Sequence, residues 1–172
     1  MNTKMKRHHI RKSIFTTKQV KELISKAYDI SPNFGCLWHI GYLSGWGLRD
    51  LLEIKWRQID WKGRILYGHR RLPYFTENIY IPDGLFSLLQ QLYKQKSPDN
   101  EYLFSDWQNR ASSISSWNRK LIDSIGLDSY EVIDDYRYHH YTFRSLRLTS
   151  LLNRRLVSNP TEVMEAMLFN AA

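Results

Sequence analysis

The run from Phe34 to Leu43, FGCLWHIGYL, is apolar almost all the way round a helix, and it constrains this chain more than any other feature. A helix without a polar face must be covered on every side, so it belongs at the centre of a core. Ser31 followed by Pro32 supplies its start signal. The 172 residues suffice to cover it, since one hydrophobic core typically serves roughly 100 to 200 residues.

Local signals place the covering elements. Thr16 caps a first helix, with Gln19 reaching back as a capping box and Val20, Leu23, Ile24 and Ala27 as its apolar stripe. Gly45 and Gly47 interrupt the central helix, and a helical pattern resumes from Leu48 to Ile54. From Trp56 to Pro82 the period changes: Ile59 and Trp61, Ile65 and Tyr67, Ile79 and Ile81 alternate as strands with one buried face do. Pro82-Asp83-Gly84 closes this small sheet, and Leu85, Leu88, Leu89 and Leu92 recur at helical spacing toward Lys96. A short Tyr102-Leu103-Phe104 segment precedes a helix that starts within Ser112 to Ser116, carries Trp117, Leu121 and Ile125, and stops at Gly126. The stretch from Asp128 to His140 reads as a polar, aromatic loop. Leu146 to Leu152 is the next helix, and Asn159 with Pro160 opens a last one through Val163, Met167 and Leu168. The expected fold class is α+β, mainly α, with one small three-stranded antiparallel sheet. One domain over residues 14–172 follows a flexible basic arm, 1–13.

Charge points to a partner. Lysine and arginine number 25 against 17 acids, a formal net charge of +8. A basic surface accumulates polyanions and loses them as salt screens it, so nucleic acid is the leading expectation and a merely solvated basic surface the alternative. The arm holds Lys4, Lys6, Arg7, Arg11 and Lys12 without an acid, as a segment lying along phosphates or a solubilising tail would. The single Cys36 lies inside the apolar run and reads as a buried thiol in a reducing compartment. No secretory leader and no apolar run of about 18 residues is present, so the expected location is cytoplasmic, at the nucleoid. His8 with His9, and His139 with His140, lack spaced partner ligands; neither a metal nor any other cofactor is expected.

The segment from Ser44 to Asp60, SGWGLRDLLEIKWRQID, carries the most specific signal. It resembles, without a gap, the first signature of the tyrosine recombinase (phage integrase) catalytic domain: Thr-Gly-Trp or Thr-Gly-Leu, Arg, two residues, an acid, Leu-Leu, one residue, Leu, Arg or Lys, Trp, a polar pair and Ile-Asp. The resemblance covers roughly residues 14 to 170 and implies that family's helical fold. In its register Asp50 takes the acid position and Trp56 the Trp position, while Gly47 stands where the family has its first catalytic arginine. Arg49, two residues on, is the candidate for a displaced arginine. Two helical residues turn about 200°, which points it away from the place Gly47 occupies.

The family's second signature, His-x-x-Arg on a helix, is matched by Arg144-Ser145-Leu146-Arg147. Arg147 falls at the family's second arginine and Arg144 replaces the histidine. Spaced by three near a helix start, the two share a face suited to phosphate, against the alternatives of a solvated basic face or pairing with Asp134 or Asp135. Arg70 or Arg71 falls near the family's hairpin lysine; a guanidinium grips phosphate but is a poor proton donor at neutral pH. No tyrosine follows Tyr141, and Leu168-Phe169-Asn170 stands where Leu-Gly-His is found in the family, so the nucleophile and the C-terminal tyrosine segment are expected to be absent from this chain.

The resemblance implies DNA strand transfer, yet the residues oppose it: the first arginine, the histidine, the lysine and the tyrosine are all replaced or missing. The leading expectation is a catalytically degenerate protein of DNA integration and recombination, from a mobile element, that binds double-stranded DNA through Arg144, Arg147, Arg70, Arg71 and the arm residues Lys4, Lys6 and Arg7. A split recombinase completed by a tyrosine from another chain is one alternative. The other is a regulator that docks on a full-length recombinase through Met164, Met167, Leu168 and Phe169, a spacing more often found in plain core; self-association is a further expectation. The six tryptophans read mostly as core rather than as platforms for unstacked bases.

Overall fold

The structure, a computed structural model, describes residues 12–68, 78–107 and 111–156. Helix α1 (Thr17–Ile30) begins at Thr16, whose hydroxyl accepts from the Gln19 amide at 3.2 Å while the Gln19 side chain accepts from the Thr16 amide at 2.8 Å. Two orphan donors are thereby satisfied reciprocally, as the sequence predicts. Val20, Leu23 and Ala27 form its buried stripe. Helix α2 (Pro32–Ser44) starts where Ser31 Oγ accepts from the Phe34 amide at 3.1 Å.

α2 is the central element, packed against α1, α4 (Asp83–Gln95), α6 (Phe143–Leu156) and the short α3 (Leu48–Leu52). Phe34, Cys36, Leu37, Trp38 and Ile40 are all buried, and beyond the first turn only His39, Tyr42 and Leu43 reach toward water, along a groove shared with α1. Trp38 anchors three neighbours at once: its ring lies against Phe15 and edge-on to Phe143, and its indole nitrogen donates to Asn118 Oδ1 at 2.9 Å. The last contact satisfies a donor that burial would otherwise leave unpaired. Burial pushes the Cys36 thiol up to about 12, an inert group as expected.

The sheet is antiparallel in the order β1 (Ile59–Asp60), β2 (Ile65–Leu66), β3 (Ile79–Tyr80), with Ile59 opposite Leu66 and Leu66 opposite Ile79. Those three side chains are buried and give the sheet its core face; in β2 it is Leu66 that points inward, not the alternating Ile65 and Tyr67 expected from the sequence, and Tyr67 is exposed. Between β1 and β2, Asp60 Oδ1 accepts from the amides of Lys62 and Gly63, folding the side chain over its own turn. Helix α5 (Ala111–Asp123) packs against α1 and meets α2 where Asn118 accepts from Trp38. The fold is mainly helical with one small three-stranded antiparallel sheet.

Three further readings of the sequence are corrected. The stretch 128–140 is not a loop: β4 (Tyr130–Ile133) and β5 (Tyr136–His139) pair as a hairpin, and Asp134 and Asp135 form its two-residue turn with φ of 49° and 65°. Side chains on both faces are largely exposed, so no apolar alternation marks the strands. α3 ends at Leu52 rather than Ile54, because Glu53 leaves helical geometry and Ile54 turns into the core. α6 begins at Phe143, three residues before the apolar pattern starts. The helix expected after Asn159 lies outside the described residues.

α2 and α6 meet at Gly41, where an added Cβ would stand 3.0 Å from Phe143 Cζ and 3.2 Å from both Leu146 Cδ2 and Leu51 Cδ1. Gly41→Ala gains about 1 kcal/mol of helix propensity but meets three buried side chains, and overpacking typically costs about 1–3 kcal/mol. A net loss of about 1 kcal/mol is expected in urea denaturation. Gly47 has φ −71° and only the Asp50 carboxylate within 3.4 Å of an added Cβ, so Gly47→Ala should stay within about 0.5 kcal/mol of the parent. A stabilised Gly41→Ala would contradict the close α2–α6 contact.

Candidate nucleic-acid interface

The turn after α2 is shaped by Gly45. Its φ of 66° is the left-handed region that favours glycine, and its amide donates to Gly41 O at 2.9 Å to close the helix. A side chain there would also crowd Ser150 and Leu151 of α6 at 3.2 Å. The turn therefore lies directly on α6. Trp46 is buried beside it, with its amide donating to Ser44 Oγ, and Gly47 then opens α3 with Asp50 in the first turn.

This packing brings the two ends of the sequence resemblance together. Arg147 Nη1 lies 4.0 Å from the point where a Cβ on Gly47 would stand, and Asp50 Oδ2 lies 3.3 Å from the same point. Arg147 is half-buried, and among the described residues its guanidinium has no hydrogen-bond or ion-pair partner. A guanidinium offers five donors in a planar fork suited to two oxygens of a phosphate. Held in a crevice with its donors unspent, Arg147 is well placed to grip an oxyanion.

The start of α6 is braced by side chains. The Thr142 amide donates to Ser145 Oγ at 3.0 Å, and Thr149 Oγ1 donates to Ser145 O at 2.7 Å. Arg144 lies in the first turn and is exposed, one helical step from Arg147. Arg119 fixes the base of the β4–β5 hairpin: it donates to Tyr141 O at 2.8 Å and Leu127 O at 3.0 Å and pairs with Asp123. Lys12 donates to His139 O at 2.6 Å, and its ammonium is held below the ordinary lysine range by burial, then by Arg144 and Arg119. Burial likewise lowers His139, with Arg119 adding to the effect and Asp123 opposing it.

Arg49 is placed elsewhere. Its side chain is 88% exposed and lies 3.5 Å from Glu53 one turn on, facing away from Gly47 as helix geometry requires. Arg70, Arg71, Lys4, Lys6 and Arg7 lie outside the described residues. Lys12 and Ser13, read from sequence as the end of the arm, are tied to the hairpin, Ser13 through its amide to His140 O at 3.0 Å. Sequence reasoning assigned Arg119 no part here, because nothing local marks a helical arginine whose partners are distant carbonyls. Among the described residues no group of three His, Cys, Asp or Glu could hold a metal ion, and no helix is long and apolar enough to cross a membrane.

No protein-family model matches this chain, and no curated protein matches it. Solved structures do. A XerA recombinase superposes with a TM-score of 0.65 at 16% identity, covering 95% of this chain and 58% of its own. The Tn1549 transposon integrase matches in complex with transposon right end DNA (TM-score 0.60, 15% identity, 92% of this chain and 58% of that one) and with circular intermediate DNA (0.62, 15%, 92% and 57%). The chain thus spans less than three fifths of the length of the recombinases it matches. At such identities the likeness is one of architecture: this chain has the fold of a tyrosine recombinase catalytic domain.

Proposed function

We propose that this protein binds the sugar–phosphate backbone of double-stranded DNA in a recombination or integration process, and that it does not cut strands on its own. The single observation that carries the reading is Arg147, half-buried beside Gly47 with no partner among the described residues. A basic chain of net charge +8 supports it, as does the Tn1549 transposon integrase, which shares the fold and is solved with DNA. Contacts of this kind position a duplex without reading its sequence.

The same crevice argues against catalysis. Phosphoryl transfer needs several cations around the phosphorane-like transition state and a group that can pass a proton. Gly47 supplies no cation where the resemblance implies one, and Arg144 replaces a histidine with a guanidinium that stays protonated at neutral pH. Binding survives the loss of those groups far better than chemistry does, because a ground-state phosphate contact needs only charge and donors.

Fluorescence anisotropy with a labelled duplex across a salt series tests the reading. Saturable binding should weaken as salt rises, and Arg147→Ala should weaken it by about tenfold or more at low salt, the range for a lost charge-assisted hydrogen bond. Absence of binding, or binding indifferent to salt, would overturn it. Incubation with a nicked suicide duplex should give no covalent adduct on a denaturing gel; an adduct would overturn the non-cutting half of the proposal.

A further inference from the structure

The β4–β5 hairpin stands out from the helices with both faces in water. Tyr130 is exposed, as are Val132 at 61% and Tyr136 at 63%. A two-stranded hairpin is marginal by itself, and sheets gain stability from a third strand or a covering element. Its base is firmly held, by Arg119 on the Leu127 and Tyr141 carbonyls and by Lys12 on the His139 carbonyl. On one face the Arg137 guanidinium lies 4.9 Å from the centre of the Tyr130 ring, and His139 meets the same ring edge-on.

The register fixes which backbone groups face outward. The two-residue turn at Asp134-Asp135 makes Ile133 and Tyr136 a hydrogen-bonded pair, and such pairs alternate from there. Glu131 with Tyr138 is the next, then Ser129 with His140, whose amide donates to Ser129 O at 3.0 Å. Tyr130 and Val132 fall between, so their N–H and C=O groups point away from β5. On β5 the corresponding outward carbonyl, that of His139, is taken by Lys12. Among the described residues nothing takes the outward groups of Tyr130 and Val132. β4 also has no proline, lysine or bulge, the devices that protect an open edge.

The charge of the hairpin selects what can cover that edge. Four acids and one arginine lie within residues 128–138, on a chain of net charge +8. Such a projection repels a duplex and is drawn to a basic protein surface. We propose that β4 pairs antiparallel with β4 of a second copy of this chain, about a two-fold axis, to make a four-stranded sheet. A two-fold contact requires a patch that complements itself. With Val132 opposite its own copy, the outward N–H and C=O groups of the two valines bond each other. Each acidic tip then lies beside the other hairpin's base, where Lys12 and Arg119 are held. A register with Glu131 opposite Glu131 is disfavoured by like charge. This association goes beyond the DNA-binding reading and does not depend on it.

The test is sedimentation velocity of the full chain over a wide concentration range, with residue-resolved amide exchange on the same samples. A monomer–dimer equilibrium is expected, in which the Val132 amide exchanges more slowly as concentration rises. Val132→Pro removes the outward donor without touching a β4–β5 bond, and should weaken the dimer about tenfold or more, the range for two lost hydrogen bonds, one per copy. Asp134→Asn with Asp135→Gly builds the turn sequence that such hairpins prefer, so the hairpin is kept while each tip loses its charge. That variant should dimerise more weakly and with less dependence on salt. A parent chain that stays monomeric, a folded Val132→Pro that dimerises as the parent does, or a tip variant with undiminished association would overturn the proposal. Protection of Val132 that appears only when a duplex is added would give the edge to nucleic acid and overturn it too. If Val132→Pro fails to fold, the amide exchange of the parent and the tip variant still decide.

Discussion

Everything that bears on the proposed phosphate contact depends on how closely α2 and α6 approach. At Gly41 a methyl group would stand 3.0 to 3.2 Å from Phe143 and Leu146 of α6, which would have to give way, and Trp38 locks the same seam through Phe143 and Asn118. That contact fixes the height and rotation of α6, and with it the place of Arg147. Because α2 also ends in the Gly45 turn, one helix sets both walls of the crevice. Packed interiors transmit such constraints faithfully, since there is no slack for neighbours to absorb a shift.

The charges are arranged around that frame with a division of labour. Arg119 spends its donors on backbone carbonyls and Asp123, pinning the hairpin to α5. Arg49 faces solvent beside Glu53, where an exposed pair contributes little. Arg147, by contrast, is held partly out of water with no partner among the described residues. A guanidinium in this condition is what the proposed phosphate contact requires.

How much of this was legible depended on how local the controlling chemistry is. The capping box at Thr16, the Ser31-Pro32 start and the break in the helix at Gly45 each act within a few residues, and each could be read directly. The buried faces of α1 and α2 followed from apolar spacing, whereas in β2 the spacing pointed to Ile65 and Tyr67 and the buried side chain is Leu66. The β4–β5 hairpin could not be read, since both its faces meet water and its turn is Asp134-Asp135 without the glycine that usually announces such turns. The meeting of Gly47 with Arg147 joins segments far apart in the chain; the family resemblance implied it, and no periodicity could. Lys12 looked like the tail of a basic arm because its fixing partner, the His139 carbonyl, is brought to it only by the tertiary fold.

The central claim is that a duplex lies on the crevice between Gly47 and Arg147, and NMR shift mapping on the isotope-labelled protein addresses it most directly. Titration with a duplex at low salt should move the Arg147 side-chain Nε resonance and the amides of Gly45 to Asp50 together, along one saturation curve. Shifts confined to other surfaces, such as the groove between α1 and α2, with Arg147 unmoved at saturation, would contradict the account.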